Sequence, residues 1–122
     1  MSIPAVHSVF FFVSDLARSK NFYQEILGTD SVYETNSIVA FTLNGVQIML
    51  HIDPPQQGET VDSQKGKGFA LHLEVNDIEN YWERLKKIGI KLDNKPTKQE
   101  YGVIEFSVHD PDGYEIEFIE RI

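Results

Sequence analysis

Residues Ser8 to Val13 form a run of aromatic and β-branched side chains that ends at Ser14-Asp15. A short apolar run closed by a turn signal predicts a strand buried on both faces. Asp15 can cap a helix in which Leu16, Phe22 or Tyr23, Ile26 and Leu27 recur at helical spacing, and Gly28 supplies the stop. Three strand-like segments follow at Ser31–Thr35, Ile38–Leu43 and Val46–Ile52. Asn36-Ser37 and Asn44-Gly45 read as the turns between them, and Asn-Gly is a strong hairpin signal because both residues tolerate positive φ. The first half therefore predicts the order β-α-β-β-β.

The same grammar returns in the second half. Phe69–Val75 reads as a strand, Asp77 caps a helix with Ile78, Tyr81, Trp82, Leu85 and Ile88 along one stripe, and Gly89 stops it. Strands are then expected at Lys91–Leu92 or slightly beyond, at Val103–Val108 and at Tyr114–Ile119. Asp15 and Asp77 lie 62 residues apart, and Gly28 and Gly89 lie 61 apart. The closing strands match as well, Gly45-Val-Gln-Ile-Met-Leu50 against Gly113-Tyr-Glu-Ile-Glu-Phe118. A unit present twice is no solenoid, which needs at least three copies. The expectation is one α+β domain of tandem βαβββ modules, residues 1–52 and 69–122, joined by a Pro-, Gly- and polar-rich linker over residues 53–68.

Composition narrows the function classes. The 122 residues carry nineteen acidic and eleven basic side chains, a net charge of −8. Nucleic acid and anionic membrane faces need clustered basic surface, so neither is expected as a partner. With no cysteine there is no disulfide, thiolate metal site or cysteine nucleophile, and imidazole chemistry rests on His7, His51, His72 and His109. The N-terminal apolar run is too short for a signal core or a membrane span, so the expected location is the cytoplasm.

The stretch Val13-Ser-Asp15-Leu-Ala-Arg-Ser19-Lys-Asn-Phe22-Tyr23-Gln-Glu-Ile-Leu27-Gly28 resembles the first module of the vicinal-oxygen-chelate superfamily, which includes glyoxalase I, bleomycin-resistance proteins and extradiol dioxygenases. Asp110-Pro-Asp-Gly-Tyr-Glu-Ile-Glu-Phe-Ile-Glu120 resembles its second. The resemblance implies mixed sheets curled around a cavity, a homodimer, and, in metal-dependent members, His or Glu ligands from the first and last strand of each module. Counting back seven from each capping aspartate gives Ser8 and Ala70, and the last-strand positions are Met49 and Glu117. Of these four, Glu117 alone is a strong ligand for a hard or borderline cation. The usual metal is therefore not expected, and no other cofactor is implied.

Strand alternation sends Ser8, Phe10 and Phe12 to the cavity face and His7 away from it. Phe10, Phe12 and Met49 would make an apolar, polarisable wall for a flat ligand, or simple core. His51 and His72 share the facing of Met49 and Ala70, two residues further along their strands, a step of roughly 6.7 Å. Each is expected well away from the usual metal centre, as a pocket-wall histidine or, with Glu117, part of a displaced divalent-metal site. Glu117, flanked by Glu115 and with Glu74 on the same facing, is a general base, an anchor for a cationic group, or a structural carboxylate. Tyr81, Trp82, Phe22, Tyr23 and Leu27 are expected in the core, and His109 at the surface. The linker, with Gly58, Gly66, Gly68, Lys65 and Lys67, could act as a lid or only connect.

Two functions follow. One is a binding protein that holds a small organic ligand, aromatic or cationic, against Ser8, Phe10, Phe12, Met49, His51, Ala70, His72 and Glu117 without the usual metal. The alternative is a lyase, isomerase or dioxygenase-like enzyme, with Glu117 and His72 as catalytic groups and His51 assisting, with or without a divalent metal. A regulatory or vestigial role is the bland third.

Overall fold

Alternation along the strands decides which residues meet the helices. The computed structural model describes residues 2–53 and 66–122 and contains ten elements. They are β1 (Ser8–Val13), α1 (Leu16–Leu27), β2 (Tyr33–Glu34), β3 (Ile38–Leu43), β4 (Val46–Ile52), β5 (Ala70–Glu74), α2 (Ile78–Lys87), β6 (Thr97–Lys98), β7 (Val103–His109) and β8 (Glu115–Arg121). Two compact units result, residues 1–63 and 64–122, and each is an α+β module of order β-α-β-β-β.

In the first module the sheet order is β1-β4-β3-β2, with β1 parallel to β4 and the other pairs antiparallel. Phe11 and Val13 from β1, Val39 and Phe41 from β3, and Ile48 and Leu50 from β4 are buried, together with Tyr23 and Ile26 of α1. Leu16, Phe22 and Leu27 are only half-buried at the margins of that contact. Asp15 caps α1 by accepting the Arg18 N–H at 3.1 Å, and Gly28 closes it at a φ of 69°, a left-handed conformation that costs glycine little. The hairpin turn adopts positive φ at both Asn44 and Gly45, 47° and 85°, as its sequence demands.

The second module repeats the plan as β5-β8-β7-β6, with β5 parallel to β8. Its covered face holds Phe106, Val108, Ile116 and Phe118 against Ile78, Trp82 and Leu85 of α2. Tyr81 stacks at 4.9 Å on Phe118, whereas Ile88 is exposed and leaves the stripe expected of it. Asp110 is buried and accepts the Asp112 and Tyr114 N–H groups, which sets the turn into β8.

Five strands differ from the sequence expectation in their bounds, two of them slightly: β7 runs on to His109, and β8 starts at Glu115 and runs on to Arg121. The Ser31–Thr35 segment pairs only at Tyr33–Glu34, and Phe69 and Val75 fall outside β5. The sixth strand lies at Thr97–Lys98, not at Lys91–Leu92. Asp93 and Asn94 explain the shift: the Asp93 N–H donates to the Ser107 carbonyl, and the Asn94 side chain accepts the Ser107 N–H at 2.9 Å. A side chain thus replaces the ladder before Pro96, which has no N–H to donate. The expected linker and lid, including Gly58 and Lys65, fall mostly within residues 54–65, outside the described residues. Among the described residues no helix is long and apolar enough to cross a membrane.

Candidate functional site

Both sheets have one face covered by their own helix and one face that the helix does not reach. Cross-strand register defines what each open face carries. In the first module one row is Phe12, His51 and Ile38, and the next is Phe10, Met49 and Ala40. Phe10 and Phe12 stack with ring centroids 6.3 Å apart and remain 45% and 42% exposed, so they are not core of their own module. The Phe12 ring lies 5.8 Å from the His51 imidazole, whose Nδ1 lies 2.9 Å from the Ile52 carbonyl oxygen. Ser8 is opposite Gln47, and the His7 side chain is on the other alternation, with its carbonyl accepting the Gln47 N–H.

The second module presents charge at the corresponding place. Its central row is His72, Glu117 and Ser107. His72 Nε2 lies 2.7 Å from Glu117 Oε2, with the imidazole partly exposed and the carboxyl largely covered. Of the two places expected for His72, in the pocket wall or beside Glu117, the structure has it beside Glu117. Ala70 lies opposite Glu115, and the imidazole two residues further on is the direct partner of Glu117. Parallel register is a tertiary fact, and counting from the capping aspartate does not reveal it.

Glu105 reaches the same spot from β7. It pairs with Ile119, so it sits diagonal to Glu117, a separation that a long side chain can span. One ligand atom from each of His72, Glu105 and Glu117 lies within 4.8 Å of the others. Tyr101 donates its hydroxyl to Glu105 in a very short hydrogen bond. That bond holds the phenol proton and pushes the Tyr101 hydroxyl up to about 12, with the Glu105 and Glu117 charges adding to the shift. Neither Glu105 nor Tyr101 was singled out by the sequence. Alternation within Val103-Ile-Glu-Phe-Ser-Val108 does put Glu105 opposite in facing to Phe106, which was the available signal.

Electrostatics follow from this crowding. Burial, a side-chain hydrogen bond with Glu115, and repulsion from Glu105 and Glu115 push Glu117 up to about 7. Near neutrality it is therefore close to half-protonated, so at this place on the sheet it can either accept or give up a proton. Glu74 is engaged elsewhere, in an ion pair with Arg121. His109 holds Asp93 at 2.6 Å, and Asp93 also accepts the Ser107 hydroxyl. The recess beside the start of α2, about 570 Å³ and lined by Asp77, Asn80, Tyr81 and Arg84 among others, is on the helix side and holds none of these groups.

A metal of the family's kind would need donors at Ser8, Met49, Ala70 and Glu117. A hydroxyl, a thioether, a methyl group and one carboxylate do not make that set.

Comparison with known proteins agrees with the two-module plan. The family model described as the Glyoxalase/Bleomycin resistance protein/Dioxygenase superfamily matches residues 5–118. A metallothiol transferase FosB from Lysinibacillus sphaericus is 21% identical over 118 residues, 97% of this chain and 83% of the relative. Among solved structures, a glyoxalase-related enzyme from Fulvimarina pelagi superposes with a TM-score of 0.81 at 26% identity, covering 98% of this chain and 89% of that one. A glyoxalase/bleomycin resistance protein/dioxygenase from Nocardioides gives a TM-score of 0.82 at 20% identity, covering 100% and 86%.

Proposed function

The chain belongs to the glyoxalase/bleomycin resistance protein/dioxygenase superfamily, and from that footing we propose that it binds a small organic molecule with a flat apolar body on the open face of its first sheet. One observation carries this reading: Phe10 and Phe12 lie stacked and almost half exposed on a sheet face that α1 leaves bare. Covering an aromatic side chain fully is worth roughly 1.5–3 kcal/mol, so burying the exposed parts of the two rings contributes about 1–3 kcal/mol towards the roughly 8 kcal/mol of micromolar affinity. Met49 and the His51 ring border the pair, the first deformable and the second able to hydrogen-bond. The reading requires no metal at Ser8, Met49 or Ala70.

The test is a thermal-shift screen of flat aromatic compounds, neutral and cationic, run in the presence of a chelator. A ligand at 100 times its dissociation constant adds about 2.7 kcal/mol of stability. A hit lost on Phe12→Ala and kept on Glu117→Gln supports the proposal. The absence of any hit, or full affinity in Phe12→Ala, overturns it.

A second reading has its own support. The 2.7 Å contact between His72 and Glu117, with Glu117 pushed up to about 7, suits acid–base chemistry at neutral pH. Here Glu117 takes or returns a proton at its Oε2 while His72 holds the partner proton at Nε2. This reading expects turnover to collapse in both Glu117→Gln and His72→Ala, and activity untouched by either substitution rejects it.

A further inference from the structure

We propose that the second module, by itself, binds one divalent transition-metal ion through His72 of β5, Glu117 of β8 and Glu105 of β7. The site differs from the four positions the superfamily resemblance implies, because it takes no donor from the first module and enlists a strand those positions do not use.

Three observations converge. The donors come from three neighbouring strands and lie within 4.8 Å of one another, with His72 Nε2 and Glu117 Oε2 already at 2.7 Å. A tetrahedral ion with bonds of about 2.1 Å holds its ligands about 3.4 Å apart. The imidazole–carboxylate pair would open by under 1 Å from its 2.7 Å contact, and no donor atom is more than 4.8 Å from another. Second, the donor chemistry is selective. One imidazole with two carboxylates suits borderline ions such as Zn²⁺, Mn²⁺ or Fe²⁺, whereas Mg²⁺ prefers an oxygen octahedron and keeps its waters. Third, the surroundings are those of a supported site. Tyr101 donates to Glu105 and fixes the orientation of that carboxylate, as outer-shell hydrogen bonds do for ligands. The His72 side chain is 43% exposed, which leaves an approach for a water or a substrate atom at a fourth position.

Charge points the same way. Glu105, Glu115 and Glu117 share one part of the open face with His72, while the His109 imidazole opposite Glu115 is held by Asp93 and Arg121 is held by Glu74. A bound dication would answer that imbalance and replace the His72–Glu117 contact with two metal bonds. Moving the imidazole from Ala70 to His72 keeps it on the same face of β5, and the parallel register then sets it against Glu117. The ligand that position 70 lacks is thus supplied two residues along the strand.

The test uses the whole chain after chelator treatment and dialysis. Co²⁺ titration followed by visible absorption, and Zn²⁺ titration by calorimetry, should each saturate at one ion per chain. His72→Ala and Glu105→Gln should each weaken binding at least tenfold, and Tyr101→Phe by about tenfold. Ser8→Ala should leave the affinity unchanged, and so should Phe12→Ala, which separates this site from the aromatic face proposed above. Should His72→Ala fold poorly, His72→Gln replaces it, and imidazole resonances of the unaltered chain should shift on adding Zn²⁺. No binding at millimolar Co²⁺ and Zn²⁺, undiminished binding in the His72 variants, or loss of binding in Ser8→Ala would each overturn the proposal.

Discussion

The two modules share an element order and a register, and they differ almost entirely on one face. Phe10 and His72 each stand five residues ahead of a helix-capping aspartate, and each faces a last-strand partner, Met49 in one sheet and Glu117 in the other. The covered faces remain interchangeable in kind: Phe11, Phe41 and Leu50 under α1 match Phe106, Ile116 and Phe118 under α2. The open faces have diverged, to stacked phenylalanines in the first module and a carboxylate–imidazole cluster in the second. Packing against a helix constrains volume and polarity at every buried position, a constraint that the face away from the helix does not carry.

Substitutions on the covered faces should have the largest effect and should be alike. Phe41→Ala and Phe106→Ala each remove a fully buried ring and should cost about 3–5 kcal/mol in urea unfolding. Costs differing by more than that range spans would break the equivalence of the covered faces.

The open faces should then part company in their pH response. Glu117 titrates at about 7 in the folded chain and near the ordinary 4.5 when unfolded, so between these values the native state holds a proton the unfolded chain has lost. Stability from this group therefore falls as pH rises from about 4.5 to 7 and stays reduced above, by about 2 kcal/mol after discounting for partial solvation. Glu117→Gln should remove that slope, and melting profiles at pH 5 and 8 that run parallel to the parent would reject the assignment. Met49, its counterpart in the first sheet, carries no titratable group.

A smaller effect is expected inside α1. Ser19 is fully buried and its hydroxyl finds no partner among the described residues. Ser19→Ala should stabilise the chain by about 1 kcal/mol, and a loss of stability would show that the hydroxyl is satisfied in solution. An effect of similar size, about 1 kcal/mol of lost stability, is expected at Phe12→Ser, because 42% of the residue is already exposed and the burial lost is only partial. A cost of several kcal/mol would mean that Phe12 is core.

Much of this was legible from the residues. The capping aspartates, the stop at Gly28, the Asn44-Gly45 turn and the repeat spacing are local signals, and each produced the element it predicts. Lys91–Leu92 failed because Asp93 and Asn94 satisfied β7 with a side chain, a contact thirteen residues away in sequence for the Asn94 bond. The facing of Phe10, Phe12, His72 and Glu117 followed from alternation, which is a property of a single strand.

Pairing is different in kind. Whether Glu117 meets Ala70 or His72 depends on how β5 and β8 slide past each other, and strands separated by a helix and two further strands carry no local mark of that offset. Glu105 and Tyr101 joined the cluster for the same reason, through a diagonal and a turn that exist only once the sheet has formed. The sequence by itself determined the modules, their helix caps and the identity of each face, because those depend on neighbours a few residues away. Tertiary structure alone decided that an imidazole, two carboxylates and a phenol share one spot, because register is set by the packing of the covered face beneath them.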